Sequence, residues 1–222
     1  NRDIPQLENG DHMDQPTFHE RYQAMPEHVK AELIGGVVYM AAAQKRPHGR
    51  SHTLVAHWLG EYELHTPGTE AHVNTTNVLG PDSEPQPDGC LIIKPELGGQ
   101  MRENEEGFLV GAPELAVEVS SSSQSIDLNR KLRDYETYGV REYLVAALRR
   151  REVYWFIRKR GKVQALSMDK AGVFRSEVFP GLWLDPQALL NRDRRRMLEV
   201  LRQGLATPAH AAFAAKLAKR KG

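Results

Sequence analysis

The sequence predicts an α/β (α+β) protein in which a central mixed β-sheet is flanked by helices. Three observations predict this class. Two β-rich runs surround Gly35-Gly36, which is typical of a hairpin. Apolar residues recur at helical spacing over 48–65, which indicates an amphipathic helix. Beyond it, short apolar runs bounded by turn residues alternate with a second helical segment, 125–138, as expected of strands covered by helices.

The N-terminal part is predicted to carry a short helix ahead of the hairpin. Residues 1–16 are mostly polar and are expected to form a loose leader. Thr17 with Glu20 three residues later forms a capping box. A helix should therefore begin at Thr17 and end by Pro26.

The remaining elements are predicted from apolar runs and from the residues that end them. Ser125 offers an N-cap for the helix 125–138, and Gly139 offers its stop. Two helices with basic faces are expected at 185–205 and 208–219. The predicted strands are 31–34, 37–40, 71–79, 88–93, 114–119, 142–147, 153–158, 163–166 and 173–179.

Length and composition indicate a globular protein of one domain with an extension. The 222 residues are divided into the leader 1–16, a domain 17–184 and a basic helical extension 185–222. Apolar residues at 40% and charged residues at 27% are typical of a soluble protein. No apolar run approaches the roughly 20 residues that span a bilayer, so no membrane association is expected. The single cysteine, Cys90, cannot form an internal disulfide, which favours a reducing cytoplasm.

The net charge of +1 hides an uneven distribution. Seven Lys/Arg against one acid lie between Arg149 and Lys162. From Pro186 onward nine Lys/Arg face two acids, a local charge of +7. Basic segments on a nearly neutral protein suggest a polyanionic partner, although a solvated helical face explains either cluster equally well.

Two acids lie on runs that are predicted to be buried strands. Asp88 opens the run 88–93, and Glu118 ends Leu-Ala-Val-Glu. An unpaired buried carboxylate costs several kcal/mol, so a metal, a cation or a proton usually offsets it. For Asp88 the alternative is a Pro-Asp-Gly turn, and for Glu118 it is a strand with one wet face. Surface exposure is the corresponding alternative for Glu32 in the hairpin.

Lys131 is the basic residue of the segment 125–138 that can reach the sheet. At about 100° per residue, the apolar side of this helix is defined by Leu128, Leu132 and Tyr135, and Lys131 falls at its edge. Arg130 points away from that side. The alternative for Lys131 is a simple ion pair with Asp127, four residues earlier.

Other chemistries lack their motifs. His48 and His52 are four residues apart on a predicted helix but lack the glutamate of a metalloprotease helix, and a single cysteine argues against structural zinc. Ser120 to Ser123 lack a Gly-x-Ser-x-Gly elbow, and no phosphate-cradling Gly-x-x-x-x-Gly-Lys is present. The tryptophans are interpreted as core or rim residues.

A set of motifs in a fixed order, from about residue 17 to about 190, resembles the Uma-two family of restriction-endonuclease-like proteins. The motifs are Ala31 to Met40, His48 and His52, Gln86-Pro87-Asp88, Pro113 to Ser120, Asp127 with Lys131 and Tyr135, and Gly139 to Tyr143. The sequence departs from the family pattern at Gly35, where an aspartate is frequent, and at Leu144, where a tryptophan is common.

The resemblance implies a PD-(D/E)XK nuclease fold and a metal-dependent site. It implies that Asp88 and Glu118 are metal-binding carboxylates and that Glu32 is an additional acid. In the commonest motif the lysine lies two residues after the second acid, where this sequence has Ser120. The family pattern places it on the following helix instead, at Lys131.

The expected function is hydrolysis of phosphodiester bonds with Mg²⁺ or Mn²⁺ held by Asp88 and Glu118. Lys131 and Glu32 complete the predicted catalytic set. DNA rather than RNA is the expected substrate, and His48, His52 and Arg130 are candidate nucleic-acid contacts. A homodimer is expected by analogy, since double-strand cleavage takes two sites.

Two alternatives remain open at this point: a non-catalytic nucleic-acid- or protein-binding module with the nuclease fold, and a metal hydrolase acting on a small phosphoester.

Overall fold

A computed structural model of the protein describes residues 4–41, 46–121 and 125–220. The helices are α1 (Gln15–Gln23), α2 (Arg46–His65), α3 (Leu132–Tyr138), α4 (Pro186–Asn191), α5 (Arg194–Leu205) and α6 (Pro208–Lys219). A 3₁₀ turn covers Pro95–Leu97, and a π-helical segment, Ile126–Lys131, leads directly into α3.

The strands are β1 (Ala31–Ile34), β2 (Val37–Met40), β3 (Thr69–His72), β4 (Asn77–Val78), β5 (Gly89–Ile93), β6 (Arg102–Glu103), β7 (Leu109–Val110), β8 (Leu115–Ser120), β9 (Glu142–Ala147), β10 (Glu152–Lys159), β11 (Lys162–Ala165), β12 (Phe174–Arg175) and β13 (Trp183–Leu184).

The central sheet has six strands in the order β11-β10-β9-β8-β5-β3. Strands β8 and β9 are parallel, and the other neighbours are antiparallel. The mixed sheet flanked by helices is therefore confirmed. The parallel pair requires a crossover connection, and the π-helical segment with α3 provides it.

The two faces of the sheet are covered by different helices. On one face, Trp58 of α2 packs in a core with Trp155 of β10 and Leu201 of α5. On the other face, Tyr135 of α3 packs against Tyr143 of β9. Trp58 and Trp155 are core residues, as predicted.

Two predicted helix caps are wrong. Helix α1 begins at Gln15, because the Asp14 carboxylate accepts a hydrogen bond from Thr17 N and so makes Asp14 the N-cap. Ser125 makes no side-chain cap hydrogen bond, and its own backbone is already helical (φ -69°, ψ -32°). The predicted stop at Gly139 is confirmed, with a left-handed backbone (φ 92°) that suits glycine.

Three predicted elements are divided or shortened. The run 71–79 forms the two strands β3 and β4, because Asn74 takes a left-handed conformation between them (φ 51°). The helix 185–205 is split into α4 and α5 by left-handed Arg192, after which Asp193 caps α5. The run 173–179 keeps only β12, since the chain then folds back and Ser176 Oγ accepts from Phe179 N.

The hairpin, α2, the strands at the centre of the sheet and α6 lie where the sequence predicts them, within a few residues. None of the helices in the described part of the chain is long and apolar enough to cross a bilayer.

Candidate functional site

The register of β5 and β8 places the two predicted acids side by side. Gly89 pairs with Val117 in this antiparallel pair, so Asp88, one residue earlier, lies level with Glu118. The Asp88 carboxylate accepts a hydrogen bond from Val119 N at 2.7 Å through Oδ2. Both side chains are buried, with 7% of Asp88 and 5% of Glu118 exposed. Neither acid is therefore an exposed turn residue or on a wet strand face.

Lys131 lies at the end of the π-helical segment and reaches the same place. Its Nζ donates to Glu118 Oε1 at 2.9 Å and to Glu32 Oε1 at 2.8 Å. It also lies 3.9 Å from Asp127 Oδ1, so the ion pair considered from the sequence is one part of a larger arrangement. Only 4% of Lys131 is exposed. A π-turn inside a helix is frequent at functional sites, and here it ends at the lysine.

Glu32 enters this site from outside the central sheet. The hairpin β1–β2 carries it, and Gln86 N donates to the same Oε1 that binds Lys131, at 2.6 Å. The Glu32 side chain is about one-fifth exposed, so it forms the solvent side of the site. The bond from Gln86 links Glu32 to the segment that leads into Asp88.

His48 and His52 of α2 both contact Asp88. His52 Nε2 donates to the backbone oxygen of Asp88 at 2.6 Å. His48 Nε2 lies 3.3 Å from Asp88 Oδ1, close enough for an ion pair, although the geometry is not that of a hydrogen bond. The structure therefore places these two predicted nucleic-acid contacts against a predicted catalytic carboxylate.

Charges around Asp88 favour its ionised form. Burial acts to raise the pKa of Asp88, but His48 and the hydrogen bond from Val119 N together lower it below its usual value. The neighbouring Asp88 carboxylate raises the pKa of His48 in return, against the opposing effect of burial. Asp88 is therefore set up as an anion in the folded protein.

The pKa of Glu118 is shifted in the opposite direction. Burial raises its pKa well above the usual value, and Asp127, Asp88 and Glu32 add to the rise, whereas Lys131 opposes it. Burial would lower the pKa of Lys131, but Glu118 and Glu32 raise it well above normal, so the ammonium stays charged. Three acids, Glu118, Glu32 and Asp127, lie within 4 Å of Lys131 Nζ, and this excess of negative charge favours an additional cation.

The donor set fits Mg²⁺ or Mn²⁺ held in an open site. Within the described ranges, no group of three or more His, Cys, Asp or Glu side chains is arranged so that it could hold a metal ion. Mg²⁺ usually keeps several waters and is bound by one or two carboxylates, so a third protein ligand is not required. The two hydrogen bonds to Glu118 from Lys131 and Tyr135 both end on Oε1. Asp88 and Glu118 would hold the ion.

The remaining predicted nucleic-acid contacts lie outside this cluster. Arg130 is exposed and its guanidinium lies 5.8 Å from the centre of the Tyr39 ring, beside the hairpin. The basic segment 149–162 is divided by β10: Arg149 to Arg151 form the turn before it, and Arg160 lies in the turn after it.

Tyr135 and Gln86 are site residues whose roles the sequence did not reveal. The sequence places Tyr135 on the apolar side of its helix and in a family motif without giving it a role, and its hydroxyl donates to Glu118 Oε1 at 3.4 Å. Its position four residues after Lys131, on the same helix face, was the available signal. Gln86 contributes through its backbone N–H, which no side-chain pattern indicates.

Comparisons with known proteins agree with this architecture. A family model described as "Uma2: Putative restriction endonuclease" matches residues 17–187. A solved structure, described as a "putative nuclease belonging to DUF820" from Anabaena variabilis ATCC 29413, superposes with a TM-score of 0.59 at 14% identity. The match covers 78% of this chain and 96% of that one, and at this identity it establishes the fold alone. A search of curated proteins gave no match.

Proposed function

The chain belongs to the Uma2 family of restriction-endonuclease-like proteins, and from this premise we propose that it is a metal-dependent endonuclease that hydrolyses phosphodiester bonds of DNA. The observation that carries the proposal is the convergence of Asp88, Glu118 and Lys131 from two strands and a helix. They meet at one end of the sheet, where Lys131 Nζ is 2.9 Å from Glu118 Oε1. Such an arrangement is costly for stability alone, since three charged groups are buried together.

Asp88 and Glu118 are the proposed ligands of Mg²⁺ or Mn²⁺. An ion bound there would lower the pKa of a water and take up charge that develops on the phosphate. Ionised Asp88 suits this role because His48 and Val119 N already stabilise its negative charge. The raised pKa of Glu118 implies that a bound cation would also stabilise its ionised form.

Lys131 is the proposed electrostatic group of the reaction. Its ammonium is held between Glu118 and Glu32 rather than between solvent and one acid, so its position is fixed before substrate arrives. A fixed positive charge beside a phosphate stabilises the extra negative charge of the transition state. Glu32 is assigned the role of holding Lys131 on the solvent side of the site.

The alternative is a module of the same fold that binds nucleic acid without cutting it. It shares the sheet and the helices, and it differs only in needing no metal at Asp88 and Glu118. A hydrolase of small phosphoesters differs in showing no salt-sensitive DNA binding. Metal binding and DNA cleavage therefore separate the three possibilities.

The test is nicking of supercoiled plasmid in Mn²⁺, Mg²⁺ or EDTA, together with calorimetric titration of Mn²⁺. We expect metal-dependent nicking by the wild type and a loss of about a hundredfold or more in Asp88→Asn. Lys131→Arg keeps the positive charge in the core, so a similar loss there, with an unchanged circular-dichroism spectrum, would show that the reaction needs the ammonium group and not the charge alone. Linear product in the same assay would indicate cuts in both strands, as expected of a homodimer.

Glu142→Gln is the matched control, because Glu142 is also a buried strand carboxylate but its partners are Ser176 Oγ and two backbone N–H groups. The Glu142→Gln variant should nick plasmid at the wild-type rate. Absence of nicking with every metal, or Mn²⁺ affinity unchanged by Asp88→Asn, would contradict the proposal.

A further inference from the structure

The basic segment 149–162, continuous in the sequence, is divided by the sheet into two groups at opposite ends. Strand β10 runs antiparallel to β9, with Glu152 opposite Ala147 and Ile157 opposite Glu142. Arg149 to Arg151 therefore lie at the end where β9 finishes. The turn that carries Arg160 lies at the end where β9 begins.

The end at which β9 finishes is also the end that carries the proposed active site. In the parallel pair, Glu118 lies level with Val145 and Ser120 lies level with Ala147. Leu148 N donates to Ser120 O at 2.9 Å, so the arginine turn begins one residue after a direct bond to β8. At about 3.3 Å per residue along a strand and about 4.8 Å between strands, the turn lies roughly 10–15 Å from Glu118.

The other basic group is more distant. Lys159 of β10 pairs with Lys162 of β11 beyond the level of Glu142, and β9 lies between β10 and β8. The same spacings place this turn roughly 20–25 Å from Glu118, in the opposite direction along the sheet. Lys159 is also paired with Glu177, with the two charged groups 2.7 Å apart.

Among the described residues, the arginines at the active-site end have no acidic partner within 4 Å. Arg149, Arg150 and Arg151 are exposed, and no ion pair within 4 Å joins any of them to an acid of residues 4–41, 46–121 or 125–220. Arg151 Nη2 donates to Asn191 Oδ1 at 2.6 Å, which attaches this turn to the end of α4, where exposed Arg192 follows. We name Arg149, Arg150, Arg151 and Arg192 the site-end arginine group.

We propose that the site-end arginine group binds the phosphate backbone of the DNA that extends beyond the cleavage site. This inference rests on the proposed function. DNA carries one phosphate per about 3.4 Å of axis on each strand, so a distance of roughly 10–15 Å corresponds to about three or four base pairs. Arginines there bind a backbone without reading its sequence, which fixes the register of the duplex over Asp88 and Glu118.

The test compares two double variants that remove the same charge. Arg149→Gln/Arg150→Gln changes the site-end group, and Arg160→Gln/Lys162→Gln changes the exposed turn at the opposite end. Binding of a fluorescein-labelled DNA duplex is measured by anisotropy in EDTA over a salt series. EDTA prevents cleavage, so the readout is independent of catalysis.

We expect Arg149→Gln/Arg150→Gln to reduce the slope of log affinity against log salt by about 2, roughly one per phosphate contact. The opposite-end variant should keep the wild-type slope. Equal losses in the two variants, or an unchanged slope in the first, would overturn the inference. Plasmid nicking on the same preparations separates the two proposals. If the wild type nicks plasmid but the two double variants have the same salt slope, this inference alone is overturned. A wild type that neither binds nor nicks DNA overturns both.

Discussion

Lys131 Nζ donates to Glu118 Oε1 at 2.9 Å, and both side chains are almost completely buried. The lysine also binds Glu32 and lies near Asp127, so it balances more than one acid. Glu118, by contrast, is one of several acids competing for the same ammonium. The two side chains therefore contribute unequally to stability. Removing the lysine should lower the free energy of unfolding far more than neutralising the glutamate.

Lys131→Met is expected to lower the free energy of unfolding by about 3–5 kcal/mol, since it leaves buried carboxylates without their cation. Glu118→Gln should change stability much less, because it also removes repulsion from Asp127, Asp88 and Glu32. In the double variant the cost of Lys131→Met should be partly recovered. Urea unfolding of the wild type, both single variants and the double variant gives this coupling. Additive effects would show that the two side chains do not interact.

Tyr135→Phe is expected to reduce nicking while costing less than about 1.5 kcal/mol of stability. Its hydroxyl bonds to Glu118 Oε1, so its loss leaves that carboxylate less firmly oriented. Tyr143→Phe is the matched control, because Tyr143 stacks edge-on against Tyr135 but donates to the backbone oxygen of Asp127. Nicking rates of the two variants, measured at equal folded fractions, test whether the Tyr135 hydroxyl contributes to the reaction. Equal rates would show that it does not.

Glu142 should make the protein less stable as the pH rises from about 4.5 to about 7. Burial raises the pKa of Glu142 from 4.5 to about 7, although Ser176 Oγ and the N–H groups of Glu177 and Val178 oppose the rise. The folded state therefore keeps a proton that the unfolded state releases above pH 4.5. Its stabilising effect is complete below pH 4.5 and is lost as the pH passes 7, a change of about 3 kcal/mol.

Glu142→Gln resembles the protonated form, so we expect it to match the wild type near pH 4.5 and to exceed it in stability by about 3 kcal/mol at pH 8. Denaturant unfolding at a series of pH values measures the difference. Exposed Glu105→Gln serves as the control and should follow the wild-type pH dependence. A Glu142→Gln profile parallel to the wild type would refute the assignment.

Two helical glycines should respond in opposite directions to alanine. A Cβ at Gly204 of α5 would lie 2.2 Å from Gly181 O, so Gly204→Ala should lower stability by about 2 kcal/mol or more. A Cβ at Gly60 of α2 would meet nothing within 4 Å, so Gly60→Ala should raise stability by about 0.5–1 kcal/mol. Thermal unfolding of both variants tests whether α5 packs this closely against the loop before β13. A stable Gly204→Ala variant would exclude such packing.

Much of the fold was predicted from the sequence because its signals are local. The Gly35-Gly36 turn, the apolar spacing of α2 and the stop at Gly139 each depend on a few neighbouring residues. The predicted ends and lengths of elements were wrong where another residue nearby formed the cap or broke the element. Asp14, and not Thr17, is the N-cap of α1. Asn74 and Arg192, both with left-handed backbones, interrupt the strand 71–79 and the helix 185–205, which the sequence pattern predicts as continuous.

For the candidate site, the sequence by itself determined which residues are unusual: Asp88 and Glu118 on buried strands, and Lys131 on the sheet side of a helix. Only the tertiary structure decided what surrounds them. The register of β5 against β8 sets Asp88 beside Glu118, and the hairpin brings Glu32 to Lys131 across 99 residues. Strand direction likewise assigns Arg149 and Arg160 to opposite ends of the sheet. The physical reason is that periodicity and turn chemistry act over a few residues, whereas partners across strands are fixed by the packing of the whole core.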